Sequence, residues 1–391
     1  MAIEISADQE KFHTSGVSVV SAAHSVHDTY TAFLPALLPV LIEKFTLSNT
    51  TAGLLSVFLQ LPSLLQPLIG HLADRKNLRY FIILTPALTG AAMSLLSIAP
   101  TYSFLVFLLV IAGFSSAALH AVGPILAGTF SGSRLGRGMS FWMVGGEMGR
   151  ALGPLVVVTA LGYIALQDLP WLMLAGILVS VFLYQQLKNI TTQPLSNGNG
   201  LPWIAAIKSM APIMLPLFVL IFARAMMVST LSTFLPTFLT SEGATLWIAG
   251  ASLSILEAAG VVGAFLAGSL SDRLGRRKML LISFIATPFF MLIFTQTTGI
   301  FQIPFLILMG FFGISVTPVL MAIVQENFPN NRSLANGIYM AFNFVLMAVA
   351  VLLVGIISDQ TSLRITFYIS AAMILVGLPF IRLLPKSRKS A

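Results

Sequence analysis

The chain has 391 residues, of which 57% are hydrophobic and only 9% are Asp, Glu, Lys or Arg. A soluble domain carries about 25% charged residues and a single soluble core stops growing near about 250–300 residues, so this composition excludes a soluble enzyme, a disordered chain and a collagenous scaffold, and points to the lipid bilayer as solvent. The formal net charge of +8 would suggest nucleic acid in a soluble domain, but in a membrane protein it is read first as topology, and no nucleic-acid partner is expected.

Glu4, Asp8, Glu10 and Lys11 precede any apolar run. That is unlike the basic start of a signal peptide, so the first hydrophobic segment is expected to stay in the mature protein. A spanning helix needs about 20 mostly apolar residues. Twelve runs qualify, near 17–42, 50–72, 79–98, 102–129, 138–163, 169–187, 211–239, 245–270, 279–297, 301–326, 334–357 and 365–384. They are unbroken rather than alternating, which predicts helices and not barrel strands. Residues 188–208 contain Pro194, Ser196, Asn197, Gly198, Asn199 and Gly200 and read as a linker. The expected organisation is a six-helix bundle over 1–187, the linker, and a second bundle over 209–391.

The two halves repeat. Gly70-His71-Leu72-Ala73-Asp74-Arg75 returns as Gly268-Ser269-Leu270-Ser271-Asp272-Arg273, and the same 198-residue offset relates Leu55-Ser56 to Leu253-Ser254, Phe130 to Phe328 and Arg134 to Arg332. Six is even, so duplicated units have the same orientation, as parallel repeats. Most basic residues fall on one side: Lys11, Arg75, Lys76, Arg79, Arg134, Arg137, Lys188, Lys208, Arg273, Arg276, Arg277, Lys278, Arg332 and the C-terminal group. Lys44 and Arg364 fall on the other. The positive-inside bias predicts cytoplasmic termini and linker.

Asp74 with Arg134 or Arg137, and Asp272 with Arg332, are candidate cytoplasmic latches that would hold one state and break in another; simple topology also accounts for basic loops there. In the fifth span Gly145, Gly149 and Gly153 recur every four residues and make a smooth face for close helix packing, and Pro154 permits a kink.

Ionisable residues inside spans are costly in lipid and mark function. His24, His27 and Asp28 share a face of the first span, His120 is in the fourth, Glu147 and Arg150 in the fifth, Arg224 in the seventh and Glu257 in the eighth. Asp28, Glu147 and Glu257 are candidate proton carriers, and Arg150 and Arg224 candidate partners for an anionic substrate. Alternatively, Glu147–Arg150 or Arg224–Glu257 are structural pairs. Glu326 lies near the end of the tenth span and reads as interfacial. Trp142, Tyr339 and Asn343, with Gln60 and Gln66, are further lining candidates. With no cysteine there is no disulfide and no thiolate ligand. His24 and His27 stand three apart, but a metal site needs further ligands, so no metal or other cofactor is expected.

The paired signature, Gly268-x-Leu270-x-Asp272-Arg273-x-Gly275-Arg276-Arg277 and its looser copy ending in Asn77-Leu78-Arg79, resembles that of the major facilitator superfamily between helices 2 and 3 and helices 8 and 9. The resemblance covers the whole chain and implies an all-α membrane fold of twelve helices with gating roles for Asp74, Arg75, Arg134, Arg137, Asp272, Arg273 and Arg332. Gly149 to Pro154 resembles the fifth-span motif associated with antiporters; packing alone also accounts for it. The chain further resembles the fosmidomycin-resistance efflux family in Ala23-His24-Ser25-Val26-His27-Asp28, in Gly113 to His120 and in Val144 to Pro154. That resemblance implies cavity or coupling roles for His24, Asp28 and His120. Ala121 and Val122 stand where that family often has proline and a carboxylate, and Glu147 and Arg150 also depart from it; together these suggest that a transport carboxylate has moved to the fifth span. The expected protein is a bacterial inner-membrane monomer that exchanges a small amphipathic or anionic compound for protons. Import of an organic or phosphorylated anion is the alternative. No GxxxxGK[ST] motif supports ATP-driven transport, and no catalytic constellation supports an enzyme.

Overall fold

The computed structural model describes residues 11–66, 68–69, 79–132, 134–189, 203–328 and 332–385, and these are helices and connecting turns without a strand. Among them, ten helical segments are long and apolar enough to cross a membrane. The other two expected spans are helical over their described residues and miss that criterion. The first is divided at Ala32 into α1 (Thr14–Thr31) and α2 (Phe33–Phe45), and α1 carries Ser21, His24, Ser25, His27, Asp28 and Thr29 along its length. The second is α3 (Asn49–Gln60), which passes into a 3₁₀ turn at Leu61–Leu65 that contains Pro62. Large apolar side chains point outward, among them Phe107, Leu178, Phe265 and Phe289. A soluble monomer does not expose so many, whereas a lipid-facing surface requires them.

The chain divides into two compact units, residues 1–45 with 55–197 and residues 46–54 with 198–391. The first contains α1, α2, α4 (Arg79–Ser94), α5 (Tyr102–Ser131), α6 (Leu135–Leu161) and α7 (Met173–Leu187). α1 and α6 touch backbone to backbone. A Cβ added at Gly145, Gly149 or Gly153 would strike the carbonyl oxygen of Ser21, Ser25 or Thr29 respectively, each one helical turn after the last. α6 runs through Pro154 without a break. Tyr30 links α1 to α7: its hydroxyl donates to the Leu172 carbonyl (2.5 Å) and accepts from the Gly176 N–H (3.0 Å), while its ring packs against Gly90 of α4. Lys44 closes a 3₁₀ end by donating to the carbonyls of Ser97 and Ala99.

The second unit comprises α8 (Trp203–Val228), a π-helical turn (Ser229–Thr233), α9 (Leu235–Ser241), α10 (Leu246–Leu274), α11 (Arg276–Phe294), α12 (Ile303–Ile314), α13 (Val316–Asn327), α14 (Arg332–Gln360), α15 (Leu363–Val376) and the single turn α16 (Leu378–Ile381). Its core is aromatic, with the Phe238 and Phe367 rings 4.4 Å apart and Phe294 beside them. α10 and α12 also meet through glycines, Gly263 against the Phe311 carbonyl and Gly310 against the Leu256 carbonyl. Residues 46–54 belong to this unit because Asp359, at the end of α14, caps α3. Its carboxylate accepts from the N–H groups of Asn49 (2.7 Å) and Thr50 (2.9 Å) and from the Thr50 hydroxyl (2.6 Å), where a helix N-terminus favours an anion.

The α1–α6 contact tests directly. Gly149→Ala should destabilise the protein by about 1–3 kcal/mol, because the added methyl forces two backbones apart. Val156→Ala on the exposed face of α6 should leave it unchanged. Thermal unfolding of the detergent-solubilised variants measures both.

Candidate functional site

The α1–α6 contact sets a polar cluster in the first unit. His24 lies between Ser21 and Ser25 on α1, and its imidazole occupies the space that a side chain at Gly146 would fill. The ring stacks on the indole of Trp142, with centroids 3.9 Å apart and planes 20° apart, and its Nδ1 lies 2.9 Å from the Trp142 carbonyl oxygen. His120 comes from α5, and its Nδ1 lies 2.9 Å from the carbonyl oxygen of Ser116 one turn earlier. A carbonyl oxygen only accepts, so both Nδ1 atoms carry the hydrogen and, in the neutral rings, both Nε2 atoms present bare lone pairs. Those two Nε2 atoms face each other at 3.2 Å.

His27 is constrained in the same sense. The Ser115 hydroxyl donates to the Thr85 carbonyl (3.3 Å), the Thr89 hydroxyl donates to Ser115 (2.8 Å), and Thr89 therefore accepts from His27 Nδ1 (2.9 Å). His27 Nε2 is fully buried and makes no hydrogen bond among the described residues. Asp28 sits among the three rings: its oxygens lie 3.4 Å from His24 Nε2, 3.9 Å from His120 Nε2 and 3.9 Å from His27 Nε2. Its Cβ packs under Gly149. His24, His27 and Asp28 are buried, while the His120 side chain is 34% exposed and opens the cluster to its surroundings. The acceptors of His24, His120 and Asp28 thus converge, with His27 Nε2 beside the carboxylate.

The remaining sequence candidates are placed as follows. Trp142 is buried, and it supplies a backbone carbonyl and a stacking face to His24. Glu147 and Arg150 form an ion pair one turn apart on α6. In the second unit Arg224 is buried and donates to the Thr317 hydroxyl at 2.7 Å, and Glu257 accepts from the Ser232 hydroxyl at 2.7 Å. Tyr339 is buried, and the Asn343 amide donates to its carbonyl within the helix at 2.8 Å.

Of the gating set, Asp74 and Arg75 lie outside the described residues, as does the side chain of Arg332. Arg273 is exposed, as is Arg134 at the start of α6. Arg137 lies over the rings of Phe12 (4.7 Å) and Phe141 (5.9 Å). Asp272 pairs with Arg276 (2.5 Å), which also pairs with Glu326 (2.7 Å) and donates to the Ser271 hydroxyl.

Sequence reasoning left out His27, Thr89, Ser115 and Ser116 as site residues, and it did not assign Arg276 or Glu326 to a pair. The signal for His27 was its place on the His24–Asp28 face. The hydroxyls carry no such signal, since single Ser and Thr residues are common in membrane helices.

A Major Facilitator Superfamily model matches residues 20–273 and 249–391. The chain is 24% identical to the fosmidomycin resistance protein of Escherichia coli (strain K12), over 93% of this chain and 91% of that protein. It is also 24% identical to an uncharacterized MFS-type transporter of Bacillus subtilis (strain 168), over 95% and 93% of the two chains. In fold it is similar to the nucleoside transporter NupG, with a TM-score of 0.79, 14% identity and coverage of 95% of this chain and 100% of that one. A D-xylose-proton symporter gives a TM-score of 0.76 at 14% identity, covering 97% and 100%.

The hydroxyl relay behind His27 is expected to matter for stability. Thr89→Val leaves His27 Nδ1 without its acceptor in the core and takes from Ser115 one of its two hydrogen bonds, and should cost about 1–3 kcal/mol. Ser116→Ala should cost little, because the backbone carbonyl holds His120. The unfolding midpoints of the two variants make the comparison.

Proposed function

The chain belongs to the Major Facilitator Superfamily, and from that premise we propose that it is a proton-coupled secondary transporter that exports a small amphipathic or anionic compound, such as an antibiotic, by alternating access. Membrane transport follows from the family. Efflux is supported by the similarity to a fosmidomycin resistance protein. The observation that carries proton coupling is the Asp28 carboxylate set among three imidazoles whose Nε2 atoms are acceptors.

A proton bound at His24 or His120 Nε2 turns an acceptor–acceptor contact into a hydrogen bond across the 3.2 Å gap and gives Asp28 a cationic neighbour. A motion that changes the neighbours of a buried carboxylate changes its proton affinity, which is how a conformational cycle takes up and releases a proton. Glu147, paired with Arg150, and Glu257, held by Ser232, are secondary candidates for the same task. Arg150 and Arg224 provide guanidinium groups for an anionic substrate, alongside Trp142, Tyr339 and Asn343 as lining residues. Asp74, Arg75, Arg134, Arg137, Asp272, Arg273 and Arg332 serve gating at the cytoplasmic side, and the Asp272–Arg276–Glu326 group belongs with them. The protein works as a monomer in a bacterial inner membrane with both termini cytoplasmic, as the distribution of basic residues supports.

Buried Arg224 favours a second reading, import of an organic or phosphorylated anion with protons. Proteoliposomes with an imposed proton gradient separate the two: export by antiport requires substrate movement opposite to the proton flow, and co-directional movement overturns it. Asp28→Asn should abolish gradient-driven transport and leave the thermal unfolding midpoint within a few degrees of wild type. Normal driven transport by Asp28→Asn, and equally by Glu147→Gln, would remove these carboxylates from the mechanism.

A further inference from the structure

We propose that His24, Asp28 and His120 bind one divalent first-row transition-metal ion of the zinc class. The chain was expected to lack a metal site because the first span offers too few ligands; the fold brings His120 from α5 to complete a set.

The geometry matches the chemistry. The donor atoms of His24, Asp28 and His120 all lie within 4.8 Å of one another. A tetrahedral zinc ion with bonds of about 2.0–2.1 Å separates its ligand atoms by about 3.3 Å. The two Nε2 atoms are 3.2 Å apart, His24 Nε2 and Asp28 Oδ2 are 3.4 Å apart, and His120 Nε2 and Asp28 Oδ1 are 3.9 Å apart. The two imidazoles approach different oxygens of the Asp28 carboxylate, so binding requires a rotation of the carboxylate or a shift of about 0.6 Å at the part-exposed His120.

The tautomers match as well. A metal-bound imidazole ordinarily donates its other N–H to a carbonyl or carboxylate, which fixes the ring and aims the lone pair. Trp142 and Ser116 perform that service for His24 and His120 through their carbonyls, and Thr89 performs it for His27. The Nε2 of His27, fully buried and without a hydrogen bond among the described residues, lies 3.9 Å from the Asp28 carboxylate and outside the three-donor set. Two or three imidazoles with one carboxylate favour zinc, cobalt, nickel or copper over magnesium or calcium, which prefer all-oxygen sites. The exposed edge of His120 provides access, and three ligands leave a fourth position for water or an oxygen of a transported anion.

The test uses the full chain purified on a tag without histidine, stripped with chelator and titrated with Co²⁺ in detergent. Expected are one Co²⁺ per chain, the intense visible absorption of four- or five-coordinate cobalt, bleaching of that band by Zn²⁺, and a rise in unfolding temperature with Zn²⁺. His120→Gln and Asp28→Asn should each weaken binding at least tenfold, and His13→Ala should not. His120→Gln changes a part-exposed side chain, and its metal-free unfolding midpoint shows that it folds. No saturable binding at millimolar Co²⁺, a six-coordinate spectrum, or binding untouched by His120→Gln and Asp28→Asn overturns the proposal. The proton-coupled reading is tested separately by transport in chelator-treated buffer, so either proposal can fail while the other stands.

Discussion

The first unit rests on the approach of α1 to α6 at backbone distance. Inside a bilayer, apolar side chains gain nothing by leaving lipid for one another, so helices associate through close packing and polar contacts. Gly145, Gly149 and Gly153 present a bare strip of α6 to the carbonyls of Ser21, Ser25 and Thr29. The same strip makes room for chemistry: Gly146 faces the His24 imidazole and Gly149 faces the Asp28 Cβ. Packing and site formation are therefore one requirement, and a larger residue along this strip disturbs both.

The two units solvate their buried charges differently. In the second, Arg224 donates to the Thr317 hydroxyl, Glu257 accepts from the Ser232 hydroxyl, and buried Arg276 pairs with Asp272 and Glu326. In the first, a carboxylate meets acceptors. At the 198-residue offset of the repeat, His24, Asp28 and His120 correspond to Phe222, Met226 and Pro318. Duplication thus accounts for the framework and the loop signatures, while the polar cluster belongs to one copy. A buried carboxylate is costly in low dielectric, and in this cluster imidazoles rather than a fixed cation surround it most closely.

Much of this was legible in the sequence, for a physical reason: lipid makes polar residues expensive, so His24, Asp28, His120, Arg224 and Glu257 stand out against an apolar background. The glycine strip was legible because its spacing of four matches the helical turn. The convergence of residues 96 positions apart, His24 and His120, was not, since it depends on how α5 packs rather than on any local pattern. Trp142 was visible as an aromatic ring, but half of its service comes from a backbone carbonyl, which every residue possesses. The relay through Thr89 and Ser115 was hidden among ordinary hydroxyls. Ten of the twelve expected spans meet the length and hydropathy of a membrane helix among the described residues; α1 carries many polar residues, and the run through 50–72 leaves the α-helical path near Pro62.

The choice of imidazoles around Asp28 carries the final step. An arginine at position 24 or 120 would neutralise the carboxylate permanently, since a guanidinium does not release its proton. Three imidazoles held with their Nδ1 hydrogens on protein oxygens leave the charge balance open, to be set by whatever cation occupies the shared lone pairs. A proton satisfies one acceptor pair at a time; a divalent metal ion satisfies three donors at once. The geometry at 3.2 and 3.4 Å accommodates either. A permanent internal cation would stabilise the fold equally well but leave the site with a single charge state, whereas an exchangeable one lets the charge of the first unit follow the medium to which His120 is open.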